Sequence, residues 1–168
     1  CLTKGNGKCT LGTGAFAIQN IGDVFRPNDS GLLTTILFSY KGTITYATEG
    51  SIFSSGSTMQ WLRDSLGILD NPRDSEEISA SIDSTGGVYL VPAFSGLAAP
   101  HWAPDARAMM VGISSKTTHK EIVRAALEAV SYQCHDIFSG DLPESLKVDG
   151  GMSANDWLLQ HLADILQC

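Results

Sequence analysis

Basic residues and long apolar runs are both scarce in this sequence of 168 residues. Lysine and arginine number 11 against 18 aspartates and glutamates, which gives a formal net charge of −7. This balance argues against a nucleic-acid partner, because phosphate backbones attract clustered lysine and arginine. No apolar segment approaches the roughly 20 residues that a membrane-spanning helix requires, so the sequence predicts no membrane span.

Cysteine and histidine are also few and widely spaced. No C-x-x-C pair occurs, and the histidines form no group with metal-ligand spacing, which argues against a metal cluster. The cysteines are interpreted as reduced thiols of a cytoplasmic protein rather than as a disulfide framework. These residues are Cys1, Cys9, Cys134, Cys168, His101, His119, His135 and His161.

The chain begins with Cys1 rather than methionine, and no charged and apolar leader follows. We therefore expect a piece of a longer protein without a secretion signal. With 43% hydrophobic residues, residues 1–168 are sufficient for one globular domain. Residues 70–107, which include a long proline-containing loop, are interpreted as an insertion into that domain.

Residue patterns in the first half predict an antiparallel arrangement. Apolar and β-branched segments indicate a hairpin over 8–20 and strands over 32–40 and 43–47. A helix is predicted over 51–66, because its apolar residues recur at helical spacing. Gly56 then falls in the middle of that helix, with Gln60 one turn further along the same face.

The last third predicts alternating strands and helices. A strand is expected over 109–113 and another over 145–148. Thr118-x-x-Glu121 is a capping box, which starts a helix that continues to about Phe138, and Ser153 is expected to cap a final helix. Together with the first half, this order predicts an α/β fold with a mixed sheet flanked by helices.

Two glycine-containing turns are candidate anion sites. Gly12-Thr13-Gly14 presents a hydroxyl between two residues without side chains, and Gly150-Gly151 follows a strand and precedes a helix. Exposed backbone N–H groups and a helix N-terminus both favour phosphate binding. A plain hairpin and a tight strand-to-helix turn explain the same residues without a ligand, and both interpretations stay open.

Gly56 and Gln60 form a third candidate. A glycine inside a helix lowers helix stability by about 1 kcal/mol relative to alanine, so it usually has a reason in packing or in ligand approach. The two residues together predict a flat surface with one polar group. Glycine packing against a strand, with an exposed glutamine, is the alternative.

Other nucleotide motifs fit poorly. Gly12-x-Gly14-x-x-Ala17 matches the spacing of a dinucleotide fingerprint, but that motif must open a helix, whereas a strand is predicted after Gly14. No G-x-x-x-x-G-K-[ST] sequence and no G-x-S-x-G sequence occur, so a P-loop and a hydrolase nucleophile elbow are excluded.

Several stretches, in order along nearly the whole chain, resemble the carboxyl-terminal domain of the FGGY carbohydrate kinases. This family belongs to the actin-like ATPases, whose fold is ribonuclease H-like. The stretches resemble the second phosphate loop, the strand and helix after it, the family's insertion loop, its second signature and its adenosine loop. They are residues 11–16, 46–64, 92–107, 108–128 and 148–151.

The resemblance implies a role for each matching residue. Thr13 would bond the β/γ-phosphate region of ATP, and Asn155 would meet the adenosine end. Phe16 would pack on the carbon chain of the substrate. Gly12 and Gly14 would shape the phosphate loop, and Gly56 and Gln60 would line the nucleotide cleft. Gly151 would meet the α-phosphate and ribose, and Gly150 is implied as a further ATP-binding residue.

The resemblance also implies ATP-dependent transfer of a phosphoryl group. Residues 31–35 and 61–64 point to glycerol as acceptor rather than a pentulose. The general base, an aspartate, and most Mg²⁺ ligands would lie in an absent amino-terminal segment, so no catalytic or metal-binding residue is assigned here. The fragment alone is expected to be inactive. This sequence has a histidine at position 101, where members of the family commonly have an aromatic residue. A homo-oligomer, a kinase for another polyol or sugar and an actin-like regulatory module stay open.

Overall fold

A computed structural model describes residues 2–168, and Cys1 lies outside the described residues. The four strands of the first part are β1 (Asn6–Leu11), β2 (Ala15–Gly22), β3 (Leu33–Tyr40) and β4 (Thr43–Ile52). The elements that follow are α1 (Gly56–Asp64), α2 (Ser75–Ala80), β5 (Tyr89–Val91), β6 (Met109–Val111), α3 (His119–Phe138), β7 (Ser145–Asp149) and α4 (Asp156–Leu166).

The main sheet has the strand order β3-β4-β2-β1-β7. β1 pairs antiparallel with β2 and parallel with β7, and β4 runs antiparallel to both β2 and β3. The predicted mixed sheet is therefore confirmed. Its geometry matters for function because β1 and β7, as parallel neighbours, end at the same edge and lead into the two glycine turns.

Helix α3 covers one face of this sheet and forms the centre of the core. Thr118 and Glu121 make the predicted capping box, and the helix ends at Phe138 as expected. Its predicted apolar face is buried, and Cys9 and Leu11 of β1 belong to the same core cluster. The buried positions of that face are Val123, Leu127, Val130, Cys134 and Ile137.

Because side chains alternate across a strand, the residues of β1 between these core positions lie on the opposite face, which we call the second face. Lys8 and Thr10 lie there, together with Phe16 of β2 and Lys147 and Asp149 of β7, which pair with them in the ladders.

The predicted strand over 109–113 forms, but in a different sheet. Residues 109–111 pair antiparallel with β5 in a separate two-stranded sheet. The strand ends at Val111. The next residue, Gly112, adopts φ +80° so close to Gly87 that a Cβ atom on Gly112 would clash with the carbonyl oxygen of Gly87. The expectation that the alternating strands of the last third all join the mixed sheet is therefore wrong for this strand.

The predicted helix over 51–66 is wrong at its start. Ser51 and Ile52 continue β4, because they pair with Phe16 and Ala15 of β2. The helix begins only at Gly56 and ends at Asp64. Gly56 consequently lies in the first turn of α1 rather than in its middle. In this position its main contact is with the turn between β1 and β2.

The predicted cap of the last helix is also wrong. Ser153 lies in a short 3₁₀ turn over Gly151–Ala154 and donates a hydrogen bond to the carbonyl of Gly150. Asn155 is the cap instead, since its side-chain oxygen accepts the N–H of Leu158 at 2.8 Å. The strand-to-helix connection is therefore one 3₁₀ turn longer than expected.

No helix in residues 2–168 is both long enough and apolar enough to cross a membrane.

Candidate functional site

The Gly12-Thr13-Gly14 turn joins β1 to β2 and is attached to the start of α1. The carbonyl oxygen of Thr13 accepts hydrogen bonds from the N–H groups of Ser55 and Ser57, both at 3.0 Å. The side chain of Thr13 is exposed and makes no hydrogen bond within residues 2–168. The turn is therefore held by its backbone, while the Thr13 hydroxyl stays available to a ligand.

Gly56 extends this attachment. Its N–H donates to the carbonyl oxygen of Gly12 at 2.9 Å, and a Cβ atom at position 56 would lie 2.6 Å from that oxygen. Real Cβ atoms do not approach backbone this closely, so only glycine permits the contact. Of the two interpretations left open for Gly56, close packing against the fold's own backbone is the one that the geometry supports.

Gly150 and Gly151 form the other side of the site and differ from each other. Gly150 adopts φ +96°, and a Cβ atom there would lie 2.4 Å from the carbonyl oxygen of Leu11. A Cβ atom on Gly151 would meet no protein atom within 4 Å. Gly150 is thus required by the fold, whereas Gly151 borders open space.

Asn155 connects this side to α2. Its oxygen caps α4, and its Nδ2 donates to the Ser75 hydroxyl at 3.3 Å. The Ser75 hydroxyl in turn donates to the carbonyl of Pro72 at 2.6 Å. A second 3₁₀ turn, Pro72–Asp74, lies directly before α2, and the side chain of Asn155 therefore fixes this turn against the start of α4.

These elements surround a cleft of about 950 Å³, which is within the range of small-molecule sites. Six of the residues assigned from the sequence line it, while Gly14 and Gly150 shape its turns without lining it. The six are Gly12, Thr13, Gly56, Gln60, Gly151 and Asn155.

Phe16 is the assigned residue that the structure separates from the cleft. It lies on the second face of the sheet, pairs with Thr10 and Ser51, and is 59% exposed. A ligand that contacted both Phe16 and the Thr13 hydroxyl would have to pass around the end of the hairpin. The side chain is available for an apolar contact, but not inside this cleft.

The sequence assignments omitted the far end of the cleft, which Arg63, Arg73 and Glu76 line. Arg63 follows Gly56 by seven residues and Gln60 by three, so helical periodicity was a signal for it. A rise of 1.5 Å per residue puts Arg63 about 10 Å along α1 from Gly56. One face of α1 thus extends from the threonine turn to this basic end.

The Arg63 guanidinium is held in place by its neighbour. Its Nε and a terminal nitrogen donate to the two carboxylate oxygens of Asp64 at 2.6 and 2.9 Å. These hydrogen bonds lower the pKa of Asp64 and raise that of Arg63. Both side chains are exposed, so the effect of the pair is to orient the guanidinium rather than to stabilise the fold.

Comparison with known proteins identifies the family. The model of the FGGY family of carbohydrate kinases, C-terminal domain, matches residues 7–168. The chain belongs to this family. Curated relatives include the glycerol kinase of Coxiella burnetii, 48% identical over 171 residues that cover 99% of this chain, and that of Rhodospirillum rubrum, 47% identical over 98%. The chain spans about a third of the length of these relatives (34%).

Solved structures agree on the FGGY fold. A Plasmodium falciparum glycerol kinase determined with ADP superposes with a TM-score of 0.89 and 36% identity, covering 97% of this chain and 34% of that protein. A xylulose kinase from Rhodospirillum rubrum gives a TM-score of 0.81 at 21% identity, covering 98% of this chain and 34% of that protein. The ribonuclease H-like, actin-like ATPase fold expected from the sequence is confirmed by these neighbours.

Proposed function

We propose that this chain is the nucleotide-binding carboxyl-terminal domain of an ATP-dependent glycerol kinase, which transfers the γ-phosphoryl group of ATP to glycerol to give glycerol 3-phosphate. The observation that carries the proposal is the cleft, in which Thr13, Gly56, Gln60, Gly151 and Asn155 of an FGGY domain converge. Glycerol is favoured because the relatives at 47–48% identity are glycerol kinases, whereas the xylulose kinase is similar in fold alone.

In this proposal the threonine turn holds the phosphates. The Thr13 hydroxyl donates a hydrogen bond to the β/γ-phosphate region. Gly12 lets the phosphates approach the backbone at the wall of the cleft, and Gly14 shapes the turn by packing against the carbonyl of Ile52. Neither the N–H of Thr13 nor that of Gly14 donates a hydrogen bond within residues 2–168, so both are available as additional donors. Phosphoryl transfer depends mainly on such positioning and on electrostatic stabilisation.

The rest of the nucleotide extends along α1. Gly151, whose Cα faces open space, borders the α-phosphate and ribose, and Gln60 lines the nucleotide between the two ends. The adenine lies at the end of the cleft formed by Asn155, Arg63 and Arg73. The distance of about 10 Å between the first turn of α1 and Arg63 suits a nucleotide bound lengthwise.

Other parts of the reaction belong outside this chain. Among residues 2–168 no group of three or more histidines, cysteines, aspartates or glutamates is placed to hold a metal ion, so Mg²⁺ would arrive with the ATP phosphates and take its protein ligands elsewhere. When bound, Mg²⁺ would neutralise phosphate charge. The general base that deprotonates glycerol belongs to the amino-terminal domain in this proposal, and Phe16 contacts the carbon chain of glycerol from the second face of the sheet.

The same proposal includes the partner domain and the cellular location of the enzyme. The partner of this domain is the amino-terminal domain of the same chain, which closes the cleft and excludes water. A cytoplasmic location is proposed because the cysteine pattern suits a reducing compartment. Homo-oligomerisation is compatible with this arrangement.

The test is a coupled assay of ADP release by the full-length protein, with glycerol and xylulose as alternative acceptors. We expect turnover that depends on glycerol, with a kcat/KM for glycerol well above that for xylulose. ADP release that is the same without acceptor, or nucleotide binding without any transfer, would overturn the proposal and support an actin-like regulatory module. Preference for xylulose would retain the kinase and overturn the substrate.

A further inference from the structure

A charged cluster on the second face of the sheet joins the two strands that lead into the cleft. The Lys8 ammonium of β1 lies 2.9 Å from each carboxylate oxygen of Asp149 in β7, and it also donates a hydrogen bond to the Thr10 hydroxyl. Lys8 and Asp149 are 141 positions apart in the sequence. None of the three residues lines the cleft, so the cluster is additional to the site described above.

The cluster lies at the last rung of the parallel ladder between β1 and β7. Thr10 pairs with Asp149 at that rung. Immediately beyond it the strands become the two turns, Gly12-Thr13-Gly14 and Gly150-Gly151, which form facing parts of the cleft. No backbone hydrogen bond in the described part of the chain joins these turns directly. The spacing of the turns therefore depends on the packing of Gly150 against Leu11 and on how the ends of the two strands are held.

The chemistry of the cluster suits attachment rather than proton transfer. Hydrogen bonds from Thr10 and from Lys8 lower the pKa of Asp149 below the usual aspartate value. The carboxylate thus stays ionised at neutral pH and keeps its attraction for the ammonium. A carboxylate occupied in this way is poorly suited to accept a proton from a substrate hydroxyl.

We propose that Lys8, Thr10 and Asp149 are positioning residues, which fix the spacing of the two turns and so set the affinity of the cleft for the nucleotide phosphates. This inference rests on the proposed function. With side chains 39% and 58% exposed, the pair contributes little to the stability of the fold. Binding groups, in contrast, must be held to within about 0.5 Å, so a small displacement of the turns weakens nucleotide binding.

Lys147 provides a matched control. It pairs with Lys8 across the same ladder and lies on the same face, it is exposed, and it has no hydrogen bond or ion pair within residues 2–168. Replacing Lys147 removes the same charge from almost the same place without disturbing the cluster.

The experiment compares Lys8→Met, Asp149→Asn and Lys147→Met in the full-length protein, by calorimetry with ADP and by steady-state kinetics. We expect Lys8→Met and Asp149→Asn to weaken ADP binding and raise the KM for ATP by about three- to fivefold, the scale of an exposed ion pair. The melting temperature should change little. Lys147→Met should behave as wild type, Lys8→Arg should recover most of the affinity, and the double variant should be no weaker than either single variant.

Two results with the variants would overturn the inference. One is an ADP affinity in Lys8→Met equal to that of wild type, and the other is an equal loss in Lys147→Met, which would assign the effect to general surface charge. If Lys8→Met does not fold, the isosteric Asp149→Asn variant carries the same test.

The calorimetric measurement separates this inference from the proposed function. A wild type that binds ADP but phosphorylates no glycerol refutes the proposed reaction, while the comparison of ADP affinities still decides the role of the cluster. A wild type that binds no ADP overturns both.

Discussion

The N–H of Gly56 donates to the carbonyl oxygen of Gly12 at 2.9 Å, and the two backbones are so close that a Cβ atom on Gly56 would lie 2.6 Å from that oxygen. This contact attaches the first turn of α1 to the threonine turn. The interior of the fold, rather than a ligand, therefore requires glycine at position 56. Gly151 differs, because a side chain there would extend into open space.

We accordingly predict that substitution lowers the free energy of unfolding at Gly56 but hardly changes it at Gly151. Gly56→Ala should lower the free energy of unfolding by about 1–3 kcal/mol, the usual cost of forcing a methyl group into packed structure. Gly151→Ala should change it by less than about 0.5 kcal/mol. Denaturant unfolding of the two variants tests this difference. Equal stability of both variants would show that the turn and α1 separate easily.

Binding of ATP, in contrast, should be sensitive to substitution of Gly151. Gly151→Val places two methyl groups where the ribose and α-phosphate are proposed to lie, so we expect the KM for ATP to rise by about tenfold or more, equivalent to at least about 1.4 kcal/mol. The KM for glycerol should change little. Normal ATP saturation by the Gly151→Val variant would show that the nucleotide does not contact this turn.

Thr13 offers a test of the phosphate contact itself. Its side chain is exposed and makes no hydrogen bond within residues 2–168, so Thr13→Ala should leave the melting temperature almost unchanged. Loss of one donor to developing charge typically costs about 2–4 kcal/mol of transition-state stabilisation, which predicts a strong decrease in kcat/KM. Thr13→Ser, which keeps the hydroxyl, should retain most activity. Lower stability with normal kinetics would instead favour a plain hairpin.

Sequence patterns predicted the parts of the fold that local rules determine. The capping box at Thr118 and Glu121 defined the start of α3, and its apolar spacing identified the buried face. The hairpin around Gly12-Thr13-Gly14 followed from glycines between two strand-like segments. In each case the deciding interactions join residues close in sequence.

The wrong predictions concern positions at which residues far apart in the sequence determine the local structure. Ser51 and Ile52 have helical spacing with the residues after them, but pairing with β2 keeps them in β4. Ser153 is a good helix cap by type, yet its hydroxyl donates to Gly150. Asn155 caps the helix instead and also bonds Ser75, which lies 80 positions away in the sequence. The Lys8–Asp149 contact joins residues 141 positions apart, and no local pattern indicates it.

Asn155 should affect both stability and nucleotide binding. Asn155→Ala removes a helix cap, which typically costs about 1 kcal/mol of stability, and it also frees the 3₁₀ turn that lines the far end of the cleft. We expect a lower melting temperature together with a higher KM for ATP. Asn155→Asp keeps the cap oxygen but not the Nδ2 donor, so it should recover stability more than ATP affinity. Complete recovery of both would show that only the cap matters.

His161 predicts a pH dependence of stability. Its ring is stacked on Trp157 and lies edge-on to Tyr132, and Nδ1 is buried without a partner among the described residues. Burial lowers the pKa of His161 below its usual value, an effect that Arg124 reinforces and that Glu128 and Asp164 oppose.

Since an unfolded histidine titrates near pH 6.5, the unfolded chain binds more protons as the pH falls through that value. The free energy of unfolding should therefore decrease as the pH falls from about 7, until the folded-state pKa of His161 is passed. His161→Phe, which keeps the ring contacts, should reduce this slope. An unchanged slope in His161→Phe would assign the dependence to other groups.

Residues 1–168 alone should bind ATP weakly and should phosphorylate no glycerol. A general base must reach the reacting hydroxyl within hydrogen-bond distance, yet among the described residues that line the cleft the only carboxylate is Glu76, which belongs to α2 beside Arg73 rather than to the threonine turn. A cleft with one wall also lacks the enclosure that a two-sided site provides.

We expect a Kd for ATP near 1 mM, which corresponds to about −4 kcal/mol, and ADP release no faster than a blank when glycerol is added. Calorimetry with ATP and the coupled assay measure the two expectations separately. A micromolar Kd would show that one wall suffices for binding, and turnover that depends on glycerol would show that this domain carries its own base.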